Sequence, residues 1–212
     1  MLHVQSFTFN PIQENTYIVY NQNRHAILID PGCYFTAEQE TLQSFLLVNG
    51  LQLVQLLNTH CHLDHVFGNK WATQTFELEL FIHPEEEKVL AFAPQSGMKY
   101  GLPFDNYTGN LHFLKQADVV LLDEDELLVL ETPGHSPGSI CFYSKADKFV
   151  IAGDALFHGS VGRTDIPFGD HDTLIASIRE QLLTLPDDTK VYSGHGKTTT
   201  IGYEKRNNPH LR

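Results

Sequence analysis

The sequence predicts an α/β domain with strands in both halves of the chain. Short apolar runs typical of strands occur near both ends and in the middle, and stretches with apolar residues at helical spacing separate them. The chain has 212 residues, 42% of them hydrophobic, which is enough for one well-buried core. No stretch has the composition of a linker. We therefore expect a single domain over residues 1–212.

The first part of the chain predicts three antiparallel strands and a helix. The strands are His3 to Phe9, Thr16 to Tyr20 and Ala26 to Ile29. Asn21-Gln22-Asn23-Arg24 forms the turn between the last two, and Asp30-Pro31-Gly32 ends the third. Thr36 and Gln39 match a capping box at the start of the helix, and Gly50 marks its end.

A buried strand, Leu53 to Leu57, comes directly before a histidine-rich segment, and a helix is predicted from His65 to Phe76. The carboxyl end of such a strand is the usual position of a functional site. Five further strands are predicted: Leu80 to His83, Leu127 to Glu131, Ile140 to Tyr143, Lys148 to Ala152 and, as the last, Lys190 to Ser193. The third and fourth of these form a hairpin.

Two other segments complete the second half. Asp172 can cap a helix that Pro186 ends. The apolar residues of that helix are Leu174, Ile175, Ile178 and Leu182. Ala91 to Gln116 carries prolines and glycines among large apolar residues and predicts a loop. This loop either shapes a substrate entrance or is a surface loop packed by its own aromatic residues.

The segment Thr59-His60-Cys61-His62-Leu63-Asp64-His65 carries the strongest chemical signal in the chain. Imidazole and carboxylate are the ligands that zinc and other first-row metals accept when thiolate is absent. His60 and His62 are two residues apart, so in an extended or looped backbone they leave on the same side and can bind one ion. A tight turn would direct Asp64 and His65 towards a second ion. The motif therefore predicts two metals.

The same motif is the signature of the metallo-β-lactamase fold superfamily, and three later segments resemble that family's remaining ligand loops. In order, they are Thr132-Pro133-Gly134-His135-Ser136-Pro137-Gly138, the stretch Phe149 to Phe157 with Gly153-Asp154, and Val191-Tyr192-Ser193-Gly194-His195-Gly196. The resemblance implies a four-layer αβ/βα sandwich, in which two sheets face each other and helices lie outside.

The resemblance also implies how two divalent ions are bound. The implied ligands are His60, His62 and His135 for the first ion, Asp64, His65 and His195 for the second, and Asp154 as the bridge. A hydroxide would complete the bridge, since a zinc-bound water can have its pKa lowered from about 15.7 to about 7. Asp64 would also orient that hydroxide, which makes it the candidate catalytic residue. Zinc is the expected ion, and iron or manganese would suit the same ligands.

Within the superfamily, the segment His158 to Asp165 looks like the Gly-x-x-Gly-Arg element of type II glyoxalases (hydroxyacylglutathione hydrolases) and their short relatives. The tail from Gly194 to Glu204 is similar to theirs. Aspartate at position 154 differs from true β-lactamases, where cysteine or serine commonly occupies that site. The implied reaction is hydrolysis of a small-molecule thioester. Thiolate is a good leaving group because free thiols have a pKa of about 8.5.

Two departures from the glyoxalase pattern leave glutathione specificity open. Full-length glyoxalases of this type carry an additional C-terminal helical domain with basic glutathione contacts, and we expect none within residues 1–212. Asp165 stands where the family often has an aromatic residue. Arg163 is the candidate for binding a substrate carboxylate, and a structural ion pair is the alternative role.

Composition narrows the partners and the compartment. The net charge of −12 argues against nucleic acid, because the 14 lysines and arginines are scattered and form no basic patch. No secretion signal is evident, and no apolar run reaches the roughly 18 residues of a membrane span. Three cysteines, an odd number, fit a reducing compartment, so we expect a cytoplasmic protein. Cys33, Cys61 and Cys141 are each expected to be packed residues rather than ligands or nucleophiles.

Two alternatives to a thioesterase remain. Persulfide dioxygenases are a related branch that shares the Gly-Arg-Thr-Asp element and uses one iron, bound by residues matching His60, His62 or His135 and Asp154. A non-catalytic metal-binding or sensing module would keep the ligands without turnover. Metal content, oxygen uptake and substrate turnover distinguish the three.

Overall fold

The computed structural model describes residues 1–212 and contains two six-stranded sheets. The first sheet comprises β1 (His3–Phe9), β2 (Glu14–Tyr20), β3 (His25–Ile29), β4 (Gln52–Leu57), β5 (Leu80–Ile82) and β6 (Leu111–Phe113), in that spatial order. Strands β1 to β3 are antiparallel, and β4, β5 and β6 continue the sheet parallel to β3.

The second sheet is built from later strands. Its six strands are β7 (Val119–Leu122), β8 (Asp125–Glu131), β9 (Ile140–Ser144), β10 (Phe149–Gly153), β13 (Lys190–Ser193) and β14 (Thr199–Thr200). Two short strands, β11 (Leu156–Phe157) and β12 (Ser160–Val161), form a separate two-stranded ribbon between β10 and β13 in the chain. The order in the sheet is β14-β13-β10-β9-β8-β7. Only β10 and β13 pair in parallel.

Six α-helices accompany the sheets: α1 (Thr36–Asn49), α2 (Leu63–Val66), α3 (Asn69–Phe76), α4 (Glu87–Tyr100), α5 (His171–Ser177) and α6 (Ile201–Asn207). A 3₁₀ turn, Pro84–Glu86, precedes α4, and a π-helical segment, Ile178–Leu182, continues α5. The longest helices have 14 residues, and none combines the length and the apolar character that crossing a bilayer requires.

Alternation of side chains along β2 and β3 produces the layers. Tyr17 and Ile27 point to one face and pack with Phe142 of the second sheet, whereas Ile18 and Leu28 point to the other face and pack with residues of the helices. A third cluster packs α5 and α6 on the outside of the second sheet. The core is therefore divided between the two sheets and their two helical layers, which confirms the four-layer αβ/βα sandwich.

The helix predicted from His65 to Phe76 is wrong in one respect, because it is broken into α2 and α3. The Gly68 N–H donates to Pro31 O at 2.7 Å, and Asp64 O, its partner in a regular helix, accepts instead from Asn10 Nδ2 at 3.1 Å. A Cβ at Gly68 would lie 2.4 Å from Cys33 Sγ, so the chain is in close contact with the end of β3 here. This contact interrupts the helix directly after the metal motif.

The loop predicted from Ala91 to Gln116 is also wrong for its first part. Residues 91–100 belong to α4, which contains Pro94 in its interior. Its buried face is formed by Val89, Leu90, Ala93 and Gly97, which recur at helical spacing. Packing of this face overrides the helix-breaking effect of the proline. Residues 101–110 are loop, and the short strand β6 follows.

The predicted N-terminal caps of α1 and α5 are displaced by one or two residues, whereas Gly50 ends α1 as predicted. At α1 the Glu38 carboxylate accepts from the N–H groups of Tyr34 and Phe35 at 2.8 and 3.0 Å, in place of the predicted pair Thr36 and Gln39. At α5 the cap is Asp170 rather than Asp172, with Thr173 N as donor at 2.7 Å. Lys190–Ser193 is not the last strand, because β14 follows and pairs with it.

Candidate metal centre

Three histidines from two loops converge on one point. His60 and His62 follow β4, and His135 follows β8. His62 Nδ1 lies 2.8 Å from His135 Nε2, and the His60 ring centroid lies 4.8 and 4.9 Å from those of His62 and His135. One nitrogen from each ring lies within 4.8 Å of the other two. The sequence placed these three residues in one ligand group, and the structure brings them together.

A second group lies beside the first. Asp64 and His65 belong to α2, and His195 follows β13. His195 Nε2 lies 3.1 Å from Asp64 Oδ2, and His65 Nε2 lies 3.7 Å from the same oxygen. These three side chains also offer ligand atoms within 4.8 Å of one another. The structure therefore brings this group together as well.

Asp154, directly after β10, lies between the two groups. Its Oδ2 is 3.4 Å from His135 Nε2 in the first group and 3.6 Å from His195 Nε2 in the second. Its Oδ1 is 3.5 Å from His65 Nε2. One carboxylate thus faces three imidazoles from both groups, which is the arrangement expected of a bridging ligand.

Hydrogen bonds on the outer side of the rings orient the inner nitrogens. His135 Nδ1 pairs with Arg163 O at 2.7 Å, His195 Nδ1 with Gln13 O at 3.1 Å and His65 Nδ1 with Asp30 Oδ2 at 3.1 Å. When Nδ1 donates to such an acceptor, Nε2 keeps its lone pair and faces inwards. Ligands of protein-bound metals are commonly fixed in this way.

Asp30 is a site residue that the sequence analysis treated only as the end of a strand. Its carboxylate is buried and accepts from Thr59 N at 2.7 Å and Thr59 Oγ1 at 2.6 Å, and it contacts His65 Nδ1. Thr59 Oγ1 in turn lies 3.1 Å from His60 Nδ1. Asp30 therefore positions one histidine from each group. In the sequence, this role is indicated by the position of the aspartate at the end of a strand and directly before Pro31-Gly32.

Glu86, in the 3₁₀ turn before α4, is a second residue that the sequence analysis missed. Its buried carboxylate accepts from Cys61 N at 2.7 Å, from Gly138 N at 2.8 Å and from the Ser136 hydroxyl. Cys61 lies between two histidines of the first group, and Ser136 follows the third. Glu86 thus links the two loops that form this group. No sequence motif marks it.

Glu14 is a third buried carboxylate near the site. One oxygen accepts from Thr16 Oγ1 at 2.9 Å, and the other lies 4.0 Å from His65 Nδ1 without a hydrogen-bond partner. Burial raises the pKa of Glu14 well above its usual value, although the neighbouring His65 opposes the rise. The next residue, Asn15, donates to Ser193 O and Gly196 O at 3.0 and 2.9 Å and so fixes the loop that carries His195.

The histidines of the first group are held neutral. Burial lowers the pKa of His60, His62 and His135, because an imidazolium ion loses its hydration there. The neighbouring imidazoles lower it further for His60 and His62, and the pKa of His62 falls to about 3. The neutral ring is the form that binds a metal.

In the second group, the neighbouring charges outweigh burial in their effect on the pKa values. Burial lowers the pKa of His65 and His195, but Asp64 and Asp154 outweigh it, so both values are raised. Burial raises the pKa of Asp64 and Asp154, but the histidines outweigh it and both values are lowered. Two carboxylates and two imidazoles at this position suit a divalent cation, which takes the place of the ring protons when it binds.

Unpaired buried atoms support a metal at this position. His60 Nε2, His65 Nε2 and Asp154 Oδ1 are fully buried, and none has a hydrogen-bond partner. Buried polar atoms are rarely left in this state, because an unpaired group costs about 1–3 kcal/mol. All three point into the space between the two groups. The residues present therefore fit two divalent ions bound by imidazole and carboxylate.

A cavity of about 510 Å³ opens onto these side chains. Its lining includes His62, Asp64, His135, Asp154 and His195 at one end and apolar residues of α4 at the side. Roughly 300–1,000 Å³ is typical of small-molecule sites. The centre is therefore accessible to a substrate of modest size.

Arg163 lines this cavity, but its guanidinium is already paired. Nε and Nη2 donate to the two carboxylate oxygens of Asp165 at 2.8 and 3.0 Å. Its carbonyl oxygen accepts from His135, as described above. The sequence left substrate binding and a structural ion pair open for this side chain, and the geometry is that of the ion pair.

The three cysteines are buried and unbridged. Burial raises the pKa of Cys33 and Cys61 and brings that of Cys141 to about 12, so all three are neutral thiols. None belongs to a group of side chains that could hold a metal. The structure agrees with their predicted role as packed residues.

Comparison with known proteins places this site in context. A model of the Metallo-beta-lactamase superfamily matches residues 9–195. The hydroxyacylglutathione hydrolase GloC of Haemophilus influenzae is 38% identical over 212 residues, with 99% of this chain and 98% of that protein covered. The crystal structure of BLEG-1 B3 metallo-beta-lactamase has a TM-score of 0.90, 35% identity and 99% coverage of both chains. That of TTHA1623 in a di-iron-bound form has a TM-score of 0.88 and 36% identity, and covers 98% of this chain and all of the other.

Proposed function

Because the chain belongs to the metallo-beta-lactamase superfamily, we propose that it is a metal-dependent hydrolase that cleaves S-acyl-glutathione-type thioesters. The observation that carries this proposal is the position of the Asp154 carboxylate, within 3.4–3.6 Å of three imidazoles from two ligand groups. The 38% identity to a hydroxyacylglutathione hydrolase supports thioesters as the substrate class.

We assign the ligands as two sets with one shared residue. His60, His62 and His135 would bind the first ion, Asp64, His65 and His195 the second, and Asp154 both. Once bound, two such ions supply a hydroxide nucleophile at neutral pH and stabilise negative charge on a substrate oxygen. Zinc is the proposed ion, and the di-iron form of TTHA1623 makes iron the alternative to test.

The protein side chains supply the remaining steps. Asp64 lines the cavity beside the other ligands, so its carboxylate would accept a hydrogen bond from the attacking hydroxide and orient it. The substrate carbonyl would reach the ligands through the cavity, whose lining includes residues of α4 and of the segment after β12. The departing thiolate needs little protonation, because free thiols have a pKa of about 8.5. Cys61 takes no part as a nucleophile, since burial raises its pKa and keeps the thiol neutral.

Two other reactions compete with thioester hydrolysis. Hydrolysis of β-lactams is favoured by the similarity to BLEG-1 B3 metallo-beta-lactamase over 99% of the chain. Persulfide oxidation is favoured by the Gly162-Arg163-Thr164-Asp165 element and would require one iron. The structure contains two complete groups of ligands, and this favours a centre with two ions over the single iron of a persulfide dioxygenase.

The test is steady-state hydrolysis of S-lactoylglutathione by protein loaded separately with zinc and with iron, with metal content measured for each. A kcat/KM above about 10⁴ M⁻¹s⁻¹ would establish an enzyme of this class. Asp154→Ala is the control, and its rate should fall to background while its circular dichroism is unchanged. Turnover of a chromogenic cephalosporin, or oxygen uptake with glutathione persulfide, in place of thioester hydrolysis would contradict the proposal. Unchanged turnover by Asp154→Ala would exclude the assigned centre.

A further inference from the structure

The cavity beside the metal ligands is mainly apolar. Eleven of its twenty lining residues are hydrophobic. Helix α4 contributes Val89, Phe92 and Ala93 to one wall, and the segment after β12 contributes Ile166 and Phe168 to an adjoining wall. Apolar walls of this kind favour apolar substrate groups, because their burial removes hydrocarbon from water.

The two walls are in contact through Phe92 and Phe168. Their ring centroids lie 6.0 Å apart at an interplanar angle of 88°, which is an edge-to-face arrangement. Phe168 has a φ of 70°, a conformation that is unfavourable for a bulky side chain. A strained backbone conformation persists only where surrounding contacts hold it, so we infer that the fold fixes the position of the Phe168 ring in the cavity.

Apart from the proposed metal ions, the cavity offers no lysine or arginine free of a carboxylate partner to bind an anionic group. Arg163 is the only lysine or arginine among the lining residues, and its guanidinium is already in a two-bond ion pair with Asp165. The overall net charge of −12 also disfavours anions. A carboxylate on the acyl group, away from the metal ions, would therefore lose hydration without gaining a cationic side chain that has no carboxylate partner.

We propose that the acyl group of the substrate lies in this cavity and that the enzyme prefers thioesters of apolar acyl groups of about four to six carbons over hydroxyacyl or anionic ones. This inference rests on the proposed thioesterase function. The thiol carrier, which is the polar part of the substrate, then extends from the metal centre towards solvent. Ser96, a small residue on the α4 wall, leaves space for the chain.

The experiment compares S-acetyl-, S-butanoyl-, S-hexanoyl-, S-lactoyl- and S-succinylglutathione with the zinc-loaded protein. Each added methylene should raise kcat/KM by up to about fourfold, mainly through KM. S-butanoylglutathione should exceed S-succinylglutathione, its carboxylated analogue, by about tenfold or more. A flat or falling series, or a preference for lactoyl or succinyl, would overturn the inference and leave the thioesterase function intact. Absence of hydrolysis with every thioester would instead reject the proposed function.

Two variants test the walls and the ion pair. Ser96→Phe should lower kcat/KM for hexanoyl more than for acetyl, whereas Gln95→Phe, an exposed neighbour outside the cavity, should leave the series unchanged. Asp165→Asn frees Arg163 and should raise the succinyl rate about two- to fivefold relative to butanoyl, as expected for an exposed ion pair. Equal effects of Ser96→Phe on all chain lengths, or no change with Asp165→Asn, would contradict the proposed geometry.

Discussion

The backbone N–H of Cys61 donates a hydrogen bond of 2.7 Å to the buried carboxylate of Glu86. The same carboxylate accepts from Gly138 N and the Ser136 hydroxyl, so one side chain joins both loops of the first ligand group. Burial raises the pKa of Glu86, and these three hydrogen bonds oppose the rise. The spacing of three metal ligands therefore depends on a residue that contacts none of them.

Glu86→Gln should weaken binding of the first metal by about 10- to 100-fold, as is typical when an outer hydrogen-bond partner of a metal site is lost. The glutamine side chain has one oxygen and one NH₂ group, so it cannot accept from Cys61 N, Gly138 N and the Ser136 hydroxyl as the two carboxylate oxygens do. A buried donor left without an acceptor costs about 1–3 kcal/mol. Competition with a chromophoric chelator measures the affinity. Glu85→Gln is the matched control, since Glu85 is exposed and pairs with Lys88. Equal affinities of the two variants would contradict a positioning role for Glu86.

Gly194→Ala should prevent occupancy of the second metal position. A Cβ at Gly194 would lie 2.1 Å from Asp154 Oδ1 and 2.8 Å from His65 Cε1, so one ligand must move. The metal-to-protein ratio after dialysis should fall from two towards one or zero. Gly101→Ala is the control, because its Cβ meets nothing within 4 Å and only its φ of 71° is strained. A Gly194→Ala protein that keeps both ions would show that the centre tolerates this displacement.

Removal of the metals should destabilise the protein. Without cations, Asp64 remains buried, and Asp154 Oδ1, His60 Nε2 and His65 Nε2 remain buried without a hydrogen-bond partner. An ion present at a thousand times its dissociation constant stabilises the fold by about 4 kcal/mol. Thermal unfolding with and without chelator measures the effect. Asp154→Ala should respond much less, and an equal shift in both proteins would point to a metal bound elsewhere.

Asp123 should stabilise the protein in a pH-dependent way. Hydrogen bonds from Asn21, Asn23 and His25 lower its pKa from 3.8 to about 2. A carboxylate with a lowered pKa in the folded state contributes its full stabilisation above pH 3.8, and the contribution disappears as the pH falls through about 2. In metal-free protein, the Tm difference between wild type and Asp123→Asn should be present at pH 6 and vanish near pH 2. A difference that is independent of pH would exclude this linkage.

The residues that could bind metal were predictable because metal binding restricts residue types. His60, His62, Asp64 and His65 occur in one short segment after an apolar run, and that chemistry is visible in the sequence. Glu86 was not predictable, since its role depends on which N–H groups the fold brings to its carboxylate. Its partners lie 25 and 50 or more residues away.

Predictions of secondary structure from local sequence pattern were wrong where contacts with distant segments determined the backbone conformation. Pro94 indicated a loop, yet the buried face of α4 keeps the helix to Tyr100. The apolar spacing of residues 65–76 indicated one helix, but Gly68 N bonds to Pro31 O and the helix is divided. In both cases a contact with a distant strand or loop decided the local conformation.

The sequence by itself determined an α/β domain with strands in both halves and the chemistry of the centre, because side-chain periodicity and ligand type are local properties. The arrangement in two facing sheets was implied only by the resemblance of the ligand motifs to a known family. The tertiary structure alone decided which groups surround that centre. It paired the Arg163 guanidinium with Asp165, directed the Arg163 carbonyl to His135, and placed Phe92 edge-to-face against Phe168 in the lining of an apolar cavity. The physical reason is that hydrogen-bond partners and cavity walls are set by distances between segments far apart in the chain, and those distances exist only once the two sheets have packed.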